Sequence, residues 1–582
     1  MNLEATLPPL PALGRRWLDR GPADEGSVAA LHAALNLPLP LCQLLALRGR
    51  DDPEAAKAYL KPRLEHLLDP FGLPDMEVAV DRLERAIRAG ETLLVHGDYD
   101  VDGICSTALF TRFLRSQGGR VVTFTPDRKR DGYDLGPAGV NAAREAGATA
   151  ILTGDCGTVA HEAILQARAA GIDVIVTDHH VPGAELPSAV AVVNPNRADS
   201  RYADRALAGA GVAFKLCQAI AARRGLEPGL LWNHLDLVAL ATIADLAPLR
   251  GENRIFVRFG LRLLRQTPNP GLRALLAVSG IDVGQPIGTG QISHGLAPRI
   301  NALGRMGDAG RGVTLLLSED ESEAGRLAAL ADEENQKRKA IDRQTLREAL
   351  EQLVGDYVPE RDYGVVLAAP DWHSGVIGIV ASRVVERIHR PTILIAIDPA
   401  SGKARGSARS ISGFHLYEAI RDCGHFLQRY GGHRQAAGLE IEPERIPAFR
   451  AAFNERARAL LGPEDLIPQV PIDLNLRLAD AGLELLDLLR HFGPFGIGNP
   501  SPIFACRGAV LAQPPRTVGE GHIKLVLDDG TARLDAIGFG MAGQAERLAA
   551  GDRVDAAFHL QLDEWNGRRL PQARLIDLRE AG

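Results

Sequence analysis

Short β-branched runs alternate with amphipathic helical segments between about residue 80 and residue 250. A strand, a helix and a second strand form a βαβ unit, and consecutive units build a parallel sheet with right-handed crossovers. In such sheets, ligands bind beyond the carboxyl ends of the strands. The pattern therefore predicts an α/β fold with strands TLLVH at 92–96, VVTFTP at 121–126, TAILTG at 149–154, DVIVTD at 173–178 and AVAVVN at 189–194.

The length of 582 residues predicts several domains, because a typical domain holds about 100–200 residues. Leu, Ala and Pro dominate the N-terminal region, and short alternating runs dominate the C-terminal region. Between them, a polar helix too hydrophilic to be buried begins at a capping box on Ser318. The predicted domains are a helical extension (1–75), a parallel-sheet domain (76–315), a connecting long helix (316–357), a second α/β domain (358–464) and a small β-barrel resembling an OB fold (465–582).

Charge and cysteine content restrict the class of protein. The 66 basic and 73 acidic residues give a net charge of −7, which excludes a uniformly basic nucleic-acid coat but allows a basic cleft. Residues 251–313 carry such a local patch, with eight arginines against three carboxylates. The six cysteines form no CxxC pair, which indicates a reducing compartment. Without a signal-like start or a membrane-spanning apolar run, we expect a cytoplasmic protein that does not enter a membrane.

The stretch HGDYDVDG at 96–103 directly follows the first strand and places three alternate carboxylates together. Carboxylates this close repel each other unless a cation is present. An EF-hand loop is excluded, because its twelfth position, which needs a bidentate Glu, falls on Leu109. On this motif alone, an acidic solvated turn remains an alternative.

Similar side chains recur after other strands of the predicted sheet. Asp155 follows TAILTG, and Asp178, His179 and His180 follow DVIVT, so carboxylates and imidazoles meet at one edge. Asp245 is a further candidate ligand, and a solvated or capping residue is the alternative that its spacing equally allows. Asp and His ligands without Cys suit Mn²⁺ or Mg²⁺ better than structural Zn²⁺. The candidate ligands are His96, Asp100, Asp102, Asp155, His179 and Asp245.

Two families resemble this sequence at the level of motifs. Three motifs resemble those of the DHH phosphoesterase superfamily: HGDYDVDG, GDCGT at 154–158 and the DHH triplet at 178–180. A fourth resembles the motif of its companion DHHA1 domain: GGHRQAAG at 431–438. Four further segments resemble those of the bacterial RecJ family of single-strand-specific exonucleases: APRINALGRMG at 297–307, HSGVIGIVASRVVE at 373–386, GSARS at 406–410 and HFGPFGIGNPSPIF at 491–504.

The resemblance implies a metal-dependent exonuclease that digests single-stranded DNA from the 5′ end to mononucleotides in recombination and repair. It implies two ions, Mn²⁺ or Mg²⁺, with Asp155 as the bridging and catalytic ligand between them. His96 and Asp100 complete one site, and Asp102, His179 and Asp245 complete the other.

The resemblance also implies roles around the ions. His180 is a catalytic donor to the phosphate, although a packed histidine is the alternative, and Asp98 and Asp178 orient the ligands. The candidate DNA and phosphate contacts are Arg299, Asn301, Arg305, Ser407, Arg409 and His433. We expect the arginines of 254–311 to line a groove for one strand. All proposed ligands precede residue 246, so we expect the chemistry itself to be independent of the chain after about residue 465.

The implied partners are single-stranded DNA, a single-stranded-DNA-binding protein and a RecQ-type helicase, and we expect a monomer. Two alternatives remain: a phosphodiesterase or pyrophosphatase for a smaller substrate within the superfamily, and a non-catalytic DNA-binding scaffold. A non-catalytic scaffold should have lost metal ligands, whereas all six candidate ligands are present in this sequence. An ATP-driven helicase is disfavoured because no GxxxxGK[ST] loop occurs.

Overall fold

The computed structural model describes residues 14–128, 130–306, 308–565 and 568–581. The chain forms two compact units. One holds Ala58–Gln336 and Arg490–Ser501, and the other holds the described parts of Met1–Lys57, Lys337–Leu489 and Pro502–Gly582. Across the described ranges, every helix is too short or too polar to cross a membrane.

The N-terminal region contains a strand as well as helices, which corrects the prediction of a purely helical extension. Trp17 is buried in this strand, which runs parallel to Gln469–Ile472. Sequence periodicity does not show the strand, because its pairing partner lies about 450 residues away. The elements are β1 (Arg16–Asp19), α1 (Glu25–Leu35), α2 (Leu39–Leu47) and α3 (Pro53–Leu60).

The first α/β domain confirms the predicted parallel sheet. Its strands are parallel and lie in the order β3-β2-β4-β5-β6. Its elements are α4 (Met76–Ala89), β2 (Thr92–Gly97), α5 (Val101–Ser116), β3 (Arg120–Phe124), α6 (Pro137–Glu145), β4 (Ala150–Gly154), α7 (His161–Ala169), β5 (Asp173–Thr177), β6 (Ala191–Val193), α8 (Gly209–Arg223), α9 (Pro228–Trp232), α10 (Leu235–Ala244), α11 (Gly251–Leu264), α12 (Pro270–Val278), α13 (Thr289–Gln291), α14 (Ala297–Met306) and α15 (Gly310–Leu317).

Alternate residues of this sheet enter two separate cores. Leu93 and Val95 pack with α4, α5 and α8 on one face, and Leu94 packs with α6 and α7 on the other. Both faces are therefore buried, as parallel sheets require. Polar side chains collect beyond the carboxyl ends of the strands.

A single long helix, α16 (Glu321–Asp356), follows this domain. Its 36 residues span about 54 Å at 1.5 Å per residue. Two expectations are corrected: Asp320 rather than Ser318 caps the helix, accepting from the Glu323 N–H at 2.8 Å, and one stripe of the helix is buried. Small and apolar residues such as Ala328 and Ala349 recur along that stripe. The polar composition of the helix as a whole does not reveal this buried stripe.

The second α/β domain contains a five-stranded mixed sheet in the order β10-β11-β9-β8-β7. Strands β7 and β8 are parallel, and the other neighbours are antiparallel. The elements are β7 (Val365–Pro370), α17 (Ile377–Ile388), β8 (Thr392–Asp398), β9 (Lys403–Arg409), α18 (Leu416–Asp422), β10 (Leu427–Gly432), β11 (Ala436–Ile441) and α19 (Ile446–Leu460).

The C-terminal region forms the predicted β-barrel. Seven strands lie in the order β13-β14-β18-β19-β17-β16-β15, and an additional β14–β16 pairing closes the sheet on itself. The elements are β12 (Gln469–Ile472), β13 (Leu474–Asn475), α20 (Leu483–Leu489), β14 (Phe504–Leu511), β15 (Arg516–Val518), β16 (His522–Asp528), β17 (Arg533–Gly538), β18 (Arg553–Trp565) and β19 (Arg568–Glu580).

Candidate metal centre

Three strand ends and one helix end deliver the candidate ligands. His96 lies near the end of β2, Asp98 and Asp100 occupy the turn into α5, and Asp102 lies in the first turn of that helix. Asp155 follows β4, and Asp178, His179 and His180 follow β5. Asp245 is the C-terminal cap of α10. Because β2, β4 and β5 are parallel neighbours, their following residues meet at the same edge of the sheet.

His179 lies at the centre of one carboxylate group. Its Nε2 is 3.1 Å from Asp155 Oδ1, 3.8 Å from Asp245 Oδ2 and 3.9 Å from Asp102 Oδ2. Ligand atoms of Asp102, His179 and Asp245 lie within 4.8 Å of one another, close enough to share a cation. The structure thus brings the more distant Asp245 to the three ligands from the strand ends.

A second group adjoins the first through Asp155. Oxygens of Asp98, Asp100 and Asp155 lie within 4.8 Å of one another. This places Asp98 beside the predicted ligands, where we expected only an orienting role. His96 is fully buried, its Nδ1 lies 3.5 Å from the Sγ of Cys156, which follows Asp155, and a Cβ on Gly139 would lie only 2.9 Å from its Nε2. Glycine at 139 therefore leaves room for this ring.

The backbone aims two of the buried carboxylates, Asp155 and Asp102. Asp155 has φ 65°, a left-handed conformation that Asp tolerates better than most residues. A Cβ on Gly209 would lie 2.6 Å from the Asp155 Cβ, so helix α8 can begin there only with glycine. The N–H groups of Gly209 and Ala210 donate to the two Asp102 oxygens at 2.7 Å each. Asp102 is thereby fixed by a helix N-terminus.

His180 is oriented from two sides. Asp178 Oδ1 accepts hydrogen bonds from the N–H groups of His179 and His180 and lies 2.8 Å from His180 Nδ1. The Tyr133 hydroxyl lies 3.1 Å from His180 Nε2. Asp178 is thus placed as an orienting group, and the ring of His180 remains partly exposed at the site. Sequence reasoning missed Tyr133, because it lies outside every strand-end motif.

Burial and mutual repulsion shift the pKa values of the carboxyls. Burial, followed by the charge of Asp100, raises the pKa of Asp102 to about 7. Burial and the charges of Asp102 and Asp100 raise the pKa of Asp245 to about 8. The pKa of Asp155 is raised for the same reasons. The site is therefore poorly suited to holding its negative charge without a cation.

The imidazoles divide into two classes. Burial lowers the pKa of His96 and of His179 to about 4, so both rings are neutral near pH 7, as metal ligands must be. For His180, burial is outweighed by the hydrogen bond and the charge of Asp178, which raise its pKa to about 9. The protonated ring of His180 suits a hydrogen-bond donor to an anion rather than a metal ligand.

Unpartnered buried atoms test whether a metal fits. Four side-chain atoms at this edge are buried and make no hydrogen bond among the described residues: His96 Nε2, Asp98 Oδ1, and the pair Asp155 Oδ1 and His179 Nε2, which lie 3.1 Å apart without hydrogen-bond geometry. Burying such atoms without a partner is costly. All four are atoms that bind divalent cations, so the donor set fits Mn²⁺ or Mg²⁺.

The raised carboxyl pKa values predict pH-dependent metal affinity. Asp102 and Asp245 hold protons at pH 6, and metal binding must displace those protons. Raising the pH from 6 to 8 should therefore strengthen Mn²⁺ binding, by up to about tenfold per pH unit for each proton released. Calorimetric titration with Mn²⁺ at pH 6, 7 and 8 measures this dependence. An affinity that is constant or falls with rising pH would contradict the raised pKa values of these two carboxyls.

The structure corrects the expectation for Arg299. Its side chain is 7% exposed, lies 2.7 Å from Asp332 and donates to the carbonyls of Gly295 and Val278 at 2.6 and 3.2 Å. These partners occupy the guanidinium and leave it poorly placed to bind phosphate. Asn301 and Arg305 lie two and six residues further along α14, and both are half-buried. Burial raises the pKa of Tyr99 to about 12, and the charge of Arg305 acts weakly in the opposite direction.

The arginine patch is also largely structural. Arg254 is buried and donates to four main-chain carbonyls: those of Tyr59, His491, Phe492 and Gly493, at 2.6 to 3.2 Å. Other arginines of the patch also donate to main-chain carbonyls, namely Arg258, Arg265 and Arg273. The local net charge therefore overstated the number of arginines available to line a DNA groove.

Three predicted phosphate contacts lie in the other compact unit. Ser407 and Arg409 share β9, where Arg409 Nη1 lies 3.1 Å from Ser407 Oγ. A Cβ on Gly378 would lie 2.8 Å from both side chains, so they pack against the first turn of α17. Burial lowers the pKa of Arg409. His433 is exposed in the turn between β10 and β11.

Three family models match this chain. They are the DHH family N-terminal domain at residues 92–242, the DHHA1 domain at 362–459 and the RecJ OB domain at 472–577. Their order follows the parallel-sheet domain, the mixed-sheet domain and the barrel. The six candidate ligands include five inside the first match, with Asp245 just beyond it.

Curated relatives match almost the whole chain. The single-stranded-DNA-specific exonuclease RecJ of Escherichia coli K12 is 38% identical over 555 residues, covering 92% of this chain and 94% of the relative. The RecJ of Bacillus subtilis 168 is also 38% identical, covering 97% of this chain and 70% of the relative. These matches extend far beyond the motifs themselves.

A solved structure shares the architecture. The crystal structure of RecJ from Thermus thermophilus in complex with Mn²⁺ superposes with a TM-score of 0.83 at 32% identity, covering 97% of this chain and 80% of that one. A second structure of the same protein contains Mg²⁺. With matches of this length, and with the strand-end carboxylates and imidazoles brought together as described, the chain belongs to the RecJ family.

Proposed function

We propose that the protein is a metal-dependent exonuclease that hydrolyses phosphodiester bonds of single-stranded DNA from the 5′ end and releases mononucleotides. The observation that carries the proposal is the set of buried, unpartnered ligand atoms around Asp155, in a chain whose relatives are named single-stranded-DNA-specific exonucleases. Recombination and DNA repair are the processes in which such an activity is used.

We propose that two divalent ions bind at this edge of the sheet. His96, Asp100 and Asp155 would hold one, and Asp102, Asp155, His179 and Asp245 would hold the other, with Asp98 as a further oxygen donor beside the first. Such a pair supplies a nucleophilic water at neutral pH and positive charge at the departing oxygen. Asp155 is the carboxylate common to both groups, which supports its bridging role.

The chain's own residues orient the phosphate. Protonated His180 would donate its Nε2–H to a phosphate oxygen in exchange for its contact with the Tyr133 hydroxyl, while Asp178 holds its Nδ1 and fixes the ring plane. Tyr133 contacts the opposite side of that ring and limits its rotation. A donor held this way loses little entropy on binding the substrate.

Further contacts to the strand come from elsewhere in the chain. Asn301, Arg305, Ser407, Arg409 and His433 remain proposed phosphate contacts, whereas Arg299 does not. The RecJ OB domain at residues 472–577 supports a role in holding single strands, since OB folds bind them by stacking and backbone contacts. A single-stranded-DNA-binding protein and a RecQ-type helicase as partners, a monomeric state and a cytoplasmic location remain predictions.

End-labelled substrates test the proposal. With Mn²⁺ or Mg²⁺, a 5′-labelled single strand should release labelled mononucleotide at once, whereas a 3′-labelled strand should shorten progressively. Chelation with EDTA should stop both reactions, and a blunt duplex of the same sequence should resist digestion. Release of the 3′ label first would reverse the proposed polarity. Rapid cleavage of dinucleotides with no cleavage of long strands would favour the smaller-substrate alternative.

A further inference from the structure

The turn after Asp245 is strained. Leu246 has φ 58°, a left-handed conformation that leucine rarely adopts. The N–H groups of Leu246 and Ala247 donate to the carbonyls of Ile243 and Thr242 at 3.3 and 3.1 Å. This is the pattern of a Schellman cap, in which glycine usually takes the place of Leu246. Such strain persists only where surrounding structure over-determines the conformation.

The surrounding structure is a segment about 250 residues later in the chain. Arg490–Ser501 belongs to the compact unit that contains Asp245, although the chain on both sides of it belongs to the other unit. The Leu249 N–H donates to the Ile497 carbonyl at 2.6 Å. This hydrogen bond anchors the chain four residues after Asp245.

Two glycines allow the segment to lie directly on this exit from Asp245. A Cβ on Gly498, whose φ is 73°, would lie 2.9 Å from the Pro248 Cβ. A Cβ on Gly496 would lie 2.7 Å from the Leu249 Cδ1. Any side chain at either position would therefore press on Pro248 or Leu249, and through them on the turn at Asp245.

Asn499 fixes the shape of the segment. It is buried, its Nδ2 donates to the carbonyls of Phe492 and Pro494 at 2.9 and 2.8 Å, and its Oδ1 accepts from the Tyr59 hydroxyl at 2.9 Å. Its main chain exchanges two hydrogen bonds with Gly496, at 3.0 and 3.1 Å. The side chain thus ties both ends of the segment together and to the helical region before the first domain.

We propose that Asn499 and Gly498 are positioning residues for Asp245. Through Pro248 and Leu249, the segment Arg490–Ser501 holds the strained cap and so keeps the Asp245 carboxylate where it binds metal. The inference rests on the proposed function, in which Asp245 is a ligand. It also replaces the expectation that the chemistry is independent of the chain after about residue 465.

A matched pair of glycine substitutions tests the proposal. Gly498→Ala and Gly225→Ala both place alanine at positive φ, but a Cβ on Gly225 meets nothing within 4 Å. We expect Gly498→Ala to weaken Mn²⁺ binding about 10–100-fold, the usual effect of losing support behind a ligand, and Gly225→Ala to leave it unchanged. Calorimetric titration with Mn²⁺ gives the affinities, and circular dichroism establishes that each variant is folded.

The variant Asn499→Ala tests the same proposal independently. It adds no volume, removes the three side-chain hydrogen bonds and should weaken Mn²⁺ binding in the same range. If Asn499 acts through Asp245, adding Asn499→Ala to Asp245→Asn should weaken Mn²⁺ binding no further than Asp245→Asn alone. A merely structural role would instead weaken Mn²⁺ binding equally in both backgrounds, and that result would overturn the proposal.

The remaining outcomes are distinguishable. Unchanged Mn²⁺ affinity in folded Gly498→Ala and Asn499→Ala overturns the inference while leaving the proposed function in place. Unchanged affinity in Asp245→Asn contradicts the ligand assignment of the proposed function itself. Should either test variant fail to fold, Asn499→Ser, which retains a small polar side chain, decides by the same titration.

Discussion

Asp155→Asn should reduce hydrolysis of a single strand by about a thousandfold or more, because the substitution removes the one carboxylate common to both ligand groups. Asparagine keeps the size of the side chain and tolerates the positive φ of Asp155, so the backbone should not change. The measurement is the initial rate of mononucleotide release at saturating Mn²⁺.

Asp371→Asn is the matched control for this substitution. Asp371 also has a positive φ, of 64°, is exposed in the other compact unit and belongs to neither ligand group. Its variant should digest the strand at the normal rate. Near-normal turnover by Asp155→Asn would contradict the bridging assignment, whatever the behaviour of the control.

Lys215→Met should lower the stability of the metal-binding unit by about 3–5 kcal/mol, because it leaves a buried carboxylate without its cation. Lys215 is 0% exposed, and its Nζ lies 2.8 Å from Glu252 Oε1 and 2.5 Å from the Leu68 carbonyl. Glu252 Oε2 also accepts from the Tyr202 hydroxyl at 2.5 Å. Thermal unfolding should show a Tm lower by roughly 5–15 °C.

Two comparisons separate charge burial from packing in this network. Adding Glu252→Gln to Lys215→Met removes the uncompensated charge and should recover much of the loss. Lys57→Met breaks an exposed pair with Glu54 at 3.8 Å and should change the Tm very little. Equal Tm values for Lys215→Met and the unsubstituted protein would show that the buried pair contributes nothing to stability.

Sequence reasoning succeeded where the signal was local. The five parallel strands are predicted because each is a short apolar run and helices separate most of them, and the residues after β2, β4 and β5 must then share one edge. Asp100, Asp155 and His179 could be named on that ground alone. The assignment of each to a particular ion remains a prediction.

Sequence reasoning failed where a partner lies far along the chain. The basic patch and the family-like motif predict a phosphate contact at Arg299, and its pairing with Asp332, 33 residues later, leaves no local pattern that would indicate otherwise. Asn499 and Gly498 were recognised only as part of a family-like stretch, since their packing partners Tyr59 and Pro248 are hundreds of residues away. Strand β1 was missed for the same reason.

Anomalous X-ray scattering from a crystal soaked in Mn²⁺ tests the central claim most directly. Data collected at the manganese absorption edge locate each ion independently of the protein coordinates. We expect two peaks, one among His96, Asp100 and Asp155 and the other among Asp102, Asp155, His179 and Asp245, both in contact with Asp155. A single peak, or two peaks without contact to Asp155, would contradict this claim.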